Sequence, residues 1–161
     1  VCSSDLGSLI GIDLQGFIRT REKNHILINS SWGEKKEALE LTHYLKADGV
    51  EAEFLTGESD LVSAAKILKS YGPKEVIITH KDGVLVYDGN RVYQEPFILD
   101  KIIGRSGRGD TCGASYVYKR LSLDPEQSIK WAAAATSLKM ESDTPLKNST
   151  GEIENRVIKY K

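Results

Sequence analysis

A glycine-rich segment followed by a helical pattern most constrains how this chain folds. Its sequence is Ser-Gly-Arg-Gly-Asp-Thr-Cys-Gly-Ala-Ser over residues 106–115. Gly107 and Gly109 lack Cβ atoms, so the backbone there can turn sharply and direct several N–H groups at one point. The residues after Asp110 carry apolar side chains at helical spacing: Ala114, Val117, Tyr118 and Leu121. The loop is therefore predicted to abut the positive end of a helix dipole, which favours phosphate oxygens.

Asp110 falls in the first turn of this predicted helix. An ionised carboxylate beside an anion site can accept the proton of an attacking hydroxyl group while a phosphoryl group moves in line. A Gly-x-Gly-Asp tetrapeptide also begins many ordinary helices, where the aspartate is only an N-cap. Taken alone, the segment is consistent with either a phosphoryl-transfer site or a simple helix start.

The segment resembles the second signature of the ribokinase-like (PfkB) carbohydrate kinases, in which Thr-Gly-Ala-Gly-Asp-Thr precedes small residues. Three further segments occur in the family's order. Residues 46–57 are similar to an Asn-x-x-Glu segment with its following helix, residues 76–79 and 83–86 to the next strand and nucleotide loop, and residues 131–138 to the helix that flanks the adenine. Four matches in register argue against chance, and they cover the C-terminal portion of a family member.

The resemblance implies a role for several residues. Asp110 would be the catalytic base, and the backbone amides of Gly107, Arg108 and Gly109 would form the anion hole. The nucleotide would contact Thr79, Gly83 and Ala133. Magnesium would be organised through water by Asp48 and Glu51.

The chain departs from the family pattern at four places. Asp48 stands where Asn is usual, His80 where Gly is usual, and Thr144-Pro145 replaces a Gly-Pro turn. Arg108 replaces a frequent alanine, and its guanidinium group either contacts a phosphate or points to solvent.

The implied activity is transfer of the γ-phosphoryl group of ATP, with Mg²⁺, to a hydroxymethyl group of a sugar or nucleoside. Two other interpretations stay open. The chain could be a nucleotide-binding module or fragment without catalysis, or a structural or ligand-binding doubly wound domain that only mimics the glycine loop. The family also implies a homodimer in the full-length enzyme.

Composition supports a small-molecule partner. The 161 residues are 40% hydrophobic and 28% charged, with a net charge of −1, so no global field would recruit nucleic acid or an anionic membrane. No apolar run approaches the roughly 18 residues of a membrane helix, and a signal-peptide pattern is missing. Cys2 lies in a segment that we expect to be non-native, which leaves Cys112 without a second cysteine for a disulfide. We therefore expect a reducing, cytoplasmic location.

Residues 1–6 match the in-frame translation of a common sequencing-library adapter, so we expect them to be non-native. Residues 7–161 are then expected to be the C-terminal part of a ribokinase-like kinase domain, truncated at its N-terminus, with the ATP site and the catalytic base.

Strands alternate with helices along the chain, which predicts a three-layer αβα doubly wound sheet. Strands are predicted over residues 9–13 (buried) and 75–79, and a hairpin over residues 84–93. Charge and leucine spacing suggest one helix over residues 33–47, whereas the family comparison ends it near residue 41 and makes residues 43–47 a strand, which we favour. Three helices are predicted from their N-cap residues. Ser59 caps a helix that runs to about Tyr71, and Asp124 caps a helix from Pro125 to about Met140. Ser149 caps the last helix.

Overall fold

A computed structural model describes residues 8–21, 27–29 and 32–160. Seven strands occur in these ranges: β1 (Gly11–Asp13), β2 (Arg19–Arg21), β3 (Leu27–Asn29), β4 (Tyr44–Asp48), β5 (Glu75–Thr79), β6 (Gly83–Tyr87) and β7 (Val92–Pro96). Five of them form the central sheet in the order β1-β4-β5-β6-β7. β1, β4 and β5 are parallel, while β6 and β7 are antiparallel to their neighbours. β2 and β3 form a separate antiparallel ribbon.

Helices cover both faces of the central sheet. They are α1 (Gln15–Ile18), α2 (Lys35–Glu40), α3 (Gly49–Thr56), α4 (Leu61–Ser70), α5 (Arg108–Arg120), α6 (Pro125–Met140) and α7 (Thr150–Val157). Successive side chains of a strand point to opposite faces, so β5 sends Ile77 towards α5 and α6, and Val76 and Ile78 towards α4. The two hydrophobic clusters that result confirm the predicted three-layer α/β fold.

Side-chain N-caps begin four of the seven helices described: α3, α4, α6 and α7. Asp124 accepts a hydrogen bond from the Gln127 N–H at 2.8 Å, and Ser149 with Glu152 forms the predicted capping box at the start of α7. The predicted cap of α4 is wrong by one residue: Asp60, not Ser59, accepts the Ser63 N–H, at 2.8 Å. A carboxylate accepts such a bond more strongly than a hydroxyl group does.

The two alternatives for residues 33–47 are resolved in favour of a short helix and a strand. α2 ends at Glu40, and β4 begins at Tyr44 with four buried residues in succession. Burial on both faces of the sheet explains why β4 lacks the alternating pattern that would identify it from sequence. The first strand differs from expectation, since β1 is only three residues long and partly exposed rather than buried.

No helix in the described ranges is long and apolar enough to cross a membrane. The six residues expected to be non-native lie outside the described residues.

Candidate active site

The glycine loop ends in an open anion site at the start of α5. Gly107 is the N-cap residue and has a left-handed backbone (φ 75°), a conformation that glycine adopts without strain. The Arg108 N–H donates to the Arg105 carbonyl at 3.2 Å. Among the described residues, nothing accepts from the N–H groups of Gly107, Gly109 and Asp110. These three donors, at the positive end of a 13-residue helix, are available to an anion.

Three cavities meet around this helix start. The polar cavity, of about 260 Å³, is bordered by Gln15, Arg19, Lys46, Asp48, Thr79, Arg105 and residues 107–110. The apolar cavity, of about 360 Å³, lies on the other side of Lys46 and is bordered chiefly by β1, Tyr44, Ile77 and the first half of α5. The rear cavity, of about 370 Å³, lies between the loop and residues 139–146.

Asp110 lines all three cavities. Its side chain is exposed and makes no hydrogen bond or ion pair with any described residue. A carboxylate used for capping would be engaged by backbone N–H groups, as Asp60 and Asp124 are. The Asp110 carboxylate is instead free to accept a proton from a molecule in any of the cavities.

Lys46 separates the polar cavity from the apolar one. It is 8% exposed, lies in β4, and its Nζ is 2.9 Å from Asp13 Oδ2 in β1. The same ammonium group lies over Gly109, where a Cβ atom would come within 2.7 Å of Nζ. A buried cation is thereby held beside the anion site, where it can stabilise negative charge on a bound phosphoryl group.

Arg19 joins Asp48 to Glu51. Its Nη2 is 3.0 Å from Asp48 Oδ2 and 2.9 Å from Glu51 Oε1. Asp48 and Glu51 also form a reciprocal capping box at the start of α3, with both bonds at 2.8 Å. Burial raises the pKa of Glu51, which is fully enclosed, although the Asp48 N–H and the nearby cations act in the opposite direction.

These two carboxylates fit magnesium bound through water better than magnesium bound directly. No group of three or more potential His, Cys, Asp or Glu ligands occurs in the described ranges. Glu51 Oε1 is buried and is already paired with Arg19 Nη2 at 2.9 Å. Of these two carboxylates, only Asp48 borders the polar cavity, and its side chain is 25% exposed. A cation that keeps most of its waters could therefore contact Asp48 while phosphate oxygens supply further ligands.

The residues expected at the nucleotide lie in different environments. Thr79 ends β5, borders the polar cavity, and donates from Oγ1 to the Ala47 carbonyl at 3.4 Å. Gly83 borders none of the three cavities. A Cβ atom there would lie 2.3 Å from the Glu95 carbonyl oxygen, so the pairing of β6 with β7 requires glycine at this position. Ala133 is fully buried in the core.

The structure adds cations that sequence reasoning missed: Arg19, Lys46, Arg105 and Lys139. One weak signal existed for Lys46, because a lysine stands between the apolar residues Leu45 and Ala47 in a short strand segment. Arg19 and Lys139 carry no such signal, since Arg19 is far along the chain from Asp48, and Lys139 is far along the chain from Gly107. Arg108, whose guanidinium group is predicted either to contact a phosphate or to point to solvent, borders the polar cavity.

Comparison with known proteins points to one family. The family model described as pfkB family carbohydrate kinase matches residues 15–147. A cytidine kinase from Thermococcus kodakarensis is 38% identical over 72 residues, which are 42% of this chain and 25% of that protein.

Solved structures share the fold. A pyrophosphate-dependent kinase in the ribokinase family, complexed with a pyrophosphate analog and myo-inositol, is 38% identical with a TM-score of 0.83, covering 91% of this chain and 53% of that one. A ribokinase from Arabidopsis thaliana, complexed with ribose and ATP, is 20% identical with a TM-score of 0.69. The match covers 76% of this chain and 43% of that one, and it shows the fold alone. The chain thus spans about half the length of these structures.

Proposed function

Because the chain belongs to the pfkB family of carbohydrate kinases, we propose that its site transfers a phosphoryl group from a polyphosphate donor to a hydroxyl group. The observation that carries this proposal is the position of Asp110. Its unengaged carboxylate borders three cavities and lies beside the three free N–H donors of Gly107, Gly109 and Asp110.

In the proposed reaction the donor and the acceptor approach Asp110 from different cavities. The polar cavity contains the glycine loop and most of the cations, so it would hold the phosphates of the donor. The apolar cavity, which Asp110 and Asp13 also border, would hold the acceptor. Asp110 would take the hydroxyl proton as the oxygen attacks phosphorus.

Negative charge that develops on the transferred group would be stabilised by two kinds of donor. The Gly107 and Gly109 amides, which the sequence indicated, would act together with the Asp110 amide. The ammonium group of Lys46 would act beside them without having to move, because its ion pair with Asp13 fixes it over Gly109. Arg108 would hold the donor in place rather than contribute its engaged amide.

Magnesium, when bound with the donor, would neutralise phosphate charge and align the phosphoryl group. Asp48 would hold the hydrated ion, and Glu51 would act indirectly by fixing Asp48 and Arg19. Asp48 keeps the oxygen ligation that the usual asparagine offers, so the departure from the family pattern is compatible with this role.

The family resemblance makes ATP the expected donor, and the Arabidopsis ribokinase was solved with ATP. A second donor is favoured by a specific finding: three structures at 36–38% identity are of kinases named as pyrophosphate-dependent. Both donors present a terminal phosphoryl group, so the roles proposed for Asp110 and the glycine loop hold for either.

For the acceptor we propose a sugar, cyclic polyol or nucleoside, since the similar proteins are named for cytidine, inositol and ribose. The cytoplasmic location expected from the sequence and the homodimer implied by the family resemblance stay predictions. The non-catalytic alternative predicts that the chain binds a donor but transfers nothing.

The test is turnover of Asp110→Asn beside the unmodified protein and a matched Asp100→Asn control, which is exposed and borders none of the three cavities. Each protein is incubated with magnesium, ATP or pyrophosphate, and myo-inositol, ribose or cytidine, and phosphate monoesters are detected by ³¹P NMR. We expect Asp110→Asn to lower turnover about 10²–10⁴-fold with little change in donor affinity. Unchanged turnover in Asp110→Asn would refute the assignment of the base.

A further inference from the structure

We infer that Arg19 keeps Asp48 unavailable to a metal ion until a phosphate donor enters the polar cavity, so that the metal binds only together with the donor. Arg19 is then a positioning residue, a role that the mechanism above does not give it. The inference rests on the proposed function, because it concerns the carboxylate to which we assign the hydrated magnesium ion.

Both carboxylate oxygens of Asp48 already have a partner. Oδ1 accepts the Glu51 N–H at 2.8 Å, and Oδ2 accepts from Arg19 Nη2 at 3.0 Å. The first bond caps α3, so breaking it would destabilise the helix that Asp48 begins. Oδ2 is therefore the oxygen that a hydrated metal ion would use, and Arg19 occupies it.

Glu51 holds the guanidinium group in this position. The Glu51 side chain is fully buried, and its Oε1 lies 2.9 Å from the same Nη2 atom of Arg19. Glu51 does not border the polar cavity, so it is not placed to bind a metal ion there. A buried carboxylate is strongly destabilised when its cation is removed. The guanidinium group thus stays at the site even when its bond to Asp48 is broken.

The guanidinium group of Arg19 has further donors available. It carries five N–H groups on three nitrogen atoms, and no described residue accepts from Nε or Nη1. The Arg19 side chain is 31% exposed and borders the polar cavity, where we propose that the donor phosphates bind. A phosphate oxygen there would compete with Asp48 for the guanidinium group. Asp48 Oδ2 would then become free as the donor arrives.

The charges around the polar cavity disfavour a metal ion that comes alone. Four cations and two carboxylates border the cavity, and two further carboxylates are paired with those cations. The cations are Arg19, Lys46, Arg105 and Arg108, the bordering carboxylates are Asp48 and Asp110, and the paired ones are Asp13 and Glu51. Four positive and four negative charges leave no net negative charge to attract a dication. A polyphosphate donor changes this balance, because it adds several negative charges.

The experiment measures metal binding in the absence of any donor. Mn²⁺ is the probe, because it shares the preference of Mg²⁺ for carboxylate and water ligands, and its unbound fraction is counted by electron paramagnetic resonance. The unmodified chain is compared with Arg19→Met and with Arg91→Met. Arg91 is the matched control, since its Nη1 lies 3.9 Å from Glu126 Oε2 and it borders none of the three cavities.

We expect Arg19→Met to bind Mn²⁺ at least about tenfold more tightly than the unmodified chain and Arg91→Met. Removal of a unit positive charge beside a divalent cation changes its affinity by about this factor even at the dielectric constant of water. A purely structural arginine would give no gain in metal affinity when it is replaced. Adding Asp48→Asn to Arg19→Met should remove most of the gain, because this change removes the negative charge of Asp48 and leaves an oxygen to cap α3.

Arg19→Met leaves the buried Glu51 carboxylate without its cation, so thermal unfolding without metal first checks that the variant melts cooperatively. Arg19→Gln replaces it if it does not, because the glutamine amide can donate to Glu51 and the change in charge is the same. The same gain in Mn²⁺ affinity is expected from either variant.

Equal or weaker Mn²⁺ binding in the Arg19 variant, or a gain that persists in full after Asp48→Asn, would overturn the inference. Neither result concerns the base, which the turnover of Asp110→Asn tests separately. Failure of the inference and failure of the proposed function therefore appear in different measurements.

Discussion

The ammonium group of Lys46 packs directly over the backbone of Gly109, with Nζ 2.7 Å from the position that a Cβ atom would take at that residue. The contact joins β4 of the sheet to the first turn of α5. It brings a fixed cation to the free N–H groups of the loop, and it makes residue 109 sensitive to a single methyl group.

Gly109→Ala should therefore affect function more than folding. Gly109 has an ordinary helical backbone, and the obstructing atoms are the end of a flexible side chain, so we expect a loss of stability below about 1 kcal/mol. The displaced ammonium group should leave Asp13 and the anion site, and phosphate-donor affinity should fall about tenfold.

Calorimetric titration with magnesium pyrophosphate and magnesium ATP measures this affinity. Gly151→Ala, where a Cβ meets nothing within 4 Å, is the control. Unaltered affinity for both donors in Gly109→Ala would mean that Lys46 does not serve the site.

A second prediction concerns the ion pair that fastens α5 to the sheet. Glu75 in β5 is 7% exposed, accepts from the Tyr116 hydroxyl group at 2.6 Å, and is 2.7 Å from Arg120 Nη2. Arg120→Met would leave a nearly buried carboxylate without its cation, so urea unfolding should show a loss of about 3 kcal/mol. Lys130→Met breaks a more exposed ion pair with Glu126, so its loss of stability should be less than about 0.5 kcal/mol. Equal effects would show that burial of Glu75 does not matter.

His80 should make the free energy of unfolding fall as the pH drops below about 6.5. Burial lowers its pKa below the ordinary value of 6.5, with Arg108 and Lys81 adding to the effect and Asp82 opposing it. The unfolded chain then binds a proton more readily than the folded chain. The contribution of neutral His80 is accordingly complete above about pH 6.5 and is lost as the pH falls through the folded pKa.

Urea unfolding of the unmodified chain and of His80→Gln, between pH 5 and pH 8, tests this dependence. The variant should show a smaller fall in the free energy of unfolding towards acid pH. A steeper fall in the variant would reverse the sign argued here.

Cys112 should be unreactive while the chain is folded. It is fully buried, and burial raises the pKa of its thiol to about 11, so almost no thiolate exists at pH 8. Iodoacetamide should modify Cys112 only in urea, as measured by mass spectrometry of the peptide that contains it. Rapid modification without urea would mean that α5 and α6 separate easily.

Much of the fold could be read from local signals. Proline at the first position of α6, the capping box of α7 and the Asp88-Gly89-Asn90 turn each fix an element through bonds within a few residues. Residues 33–47 could not be assigned by periodicity, since β4 is buried on both faces and has no polar alternation.

The candidate site divides in the same way. The sequence by itself determined the glycine loop, the helix that follows it and the place of Asp110 in the first helical turn, because all three depend on neighbouring residues. Only the tertiary structure decided which cations surround that loop: Lys46 arrives from a strand, Arg19 from a segment 29 residues before Asp48, and Lys139 from the far end of α6. These contacts arise when separate elements pack against one sheet, and side chains far apart in a chain leave no common pattern in its sequence.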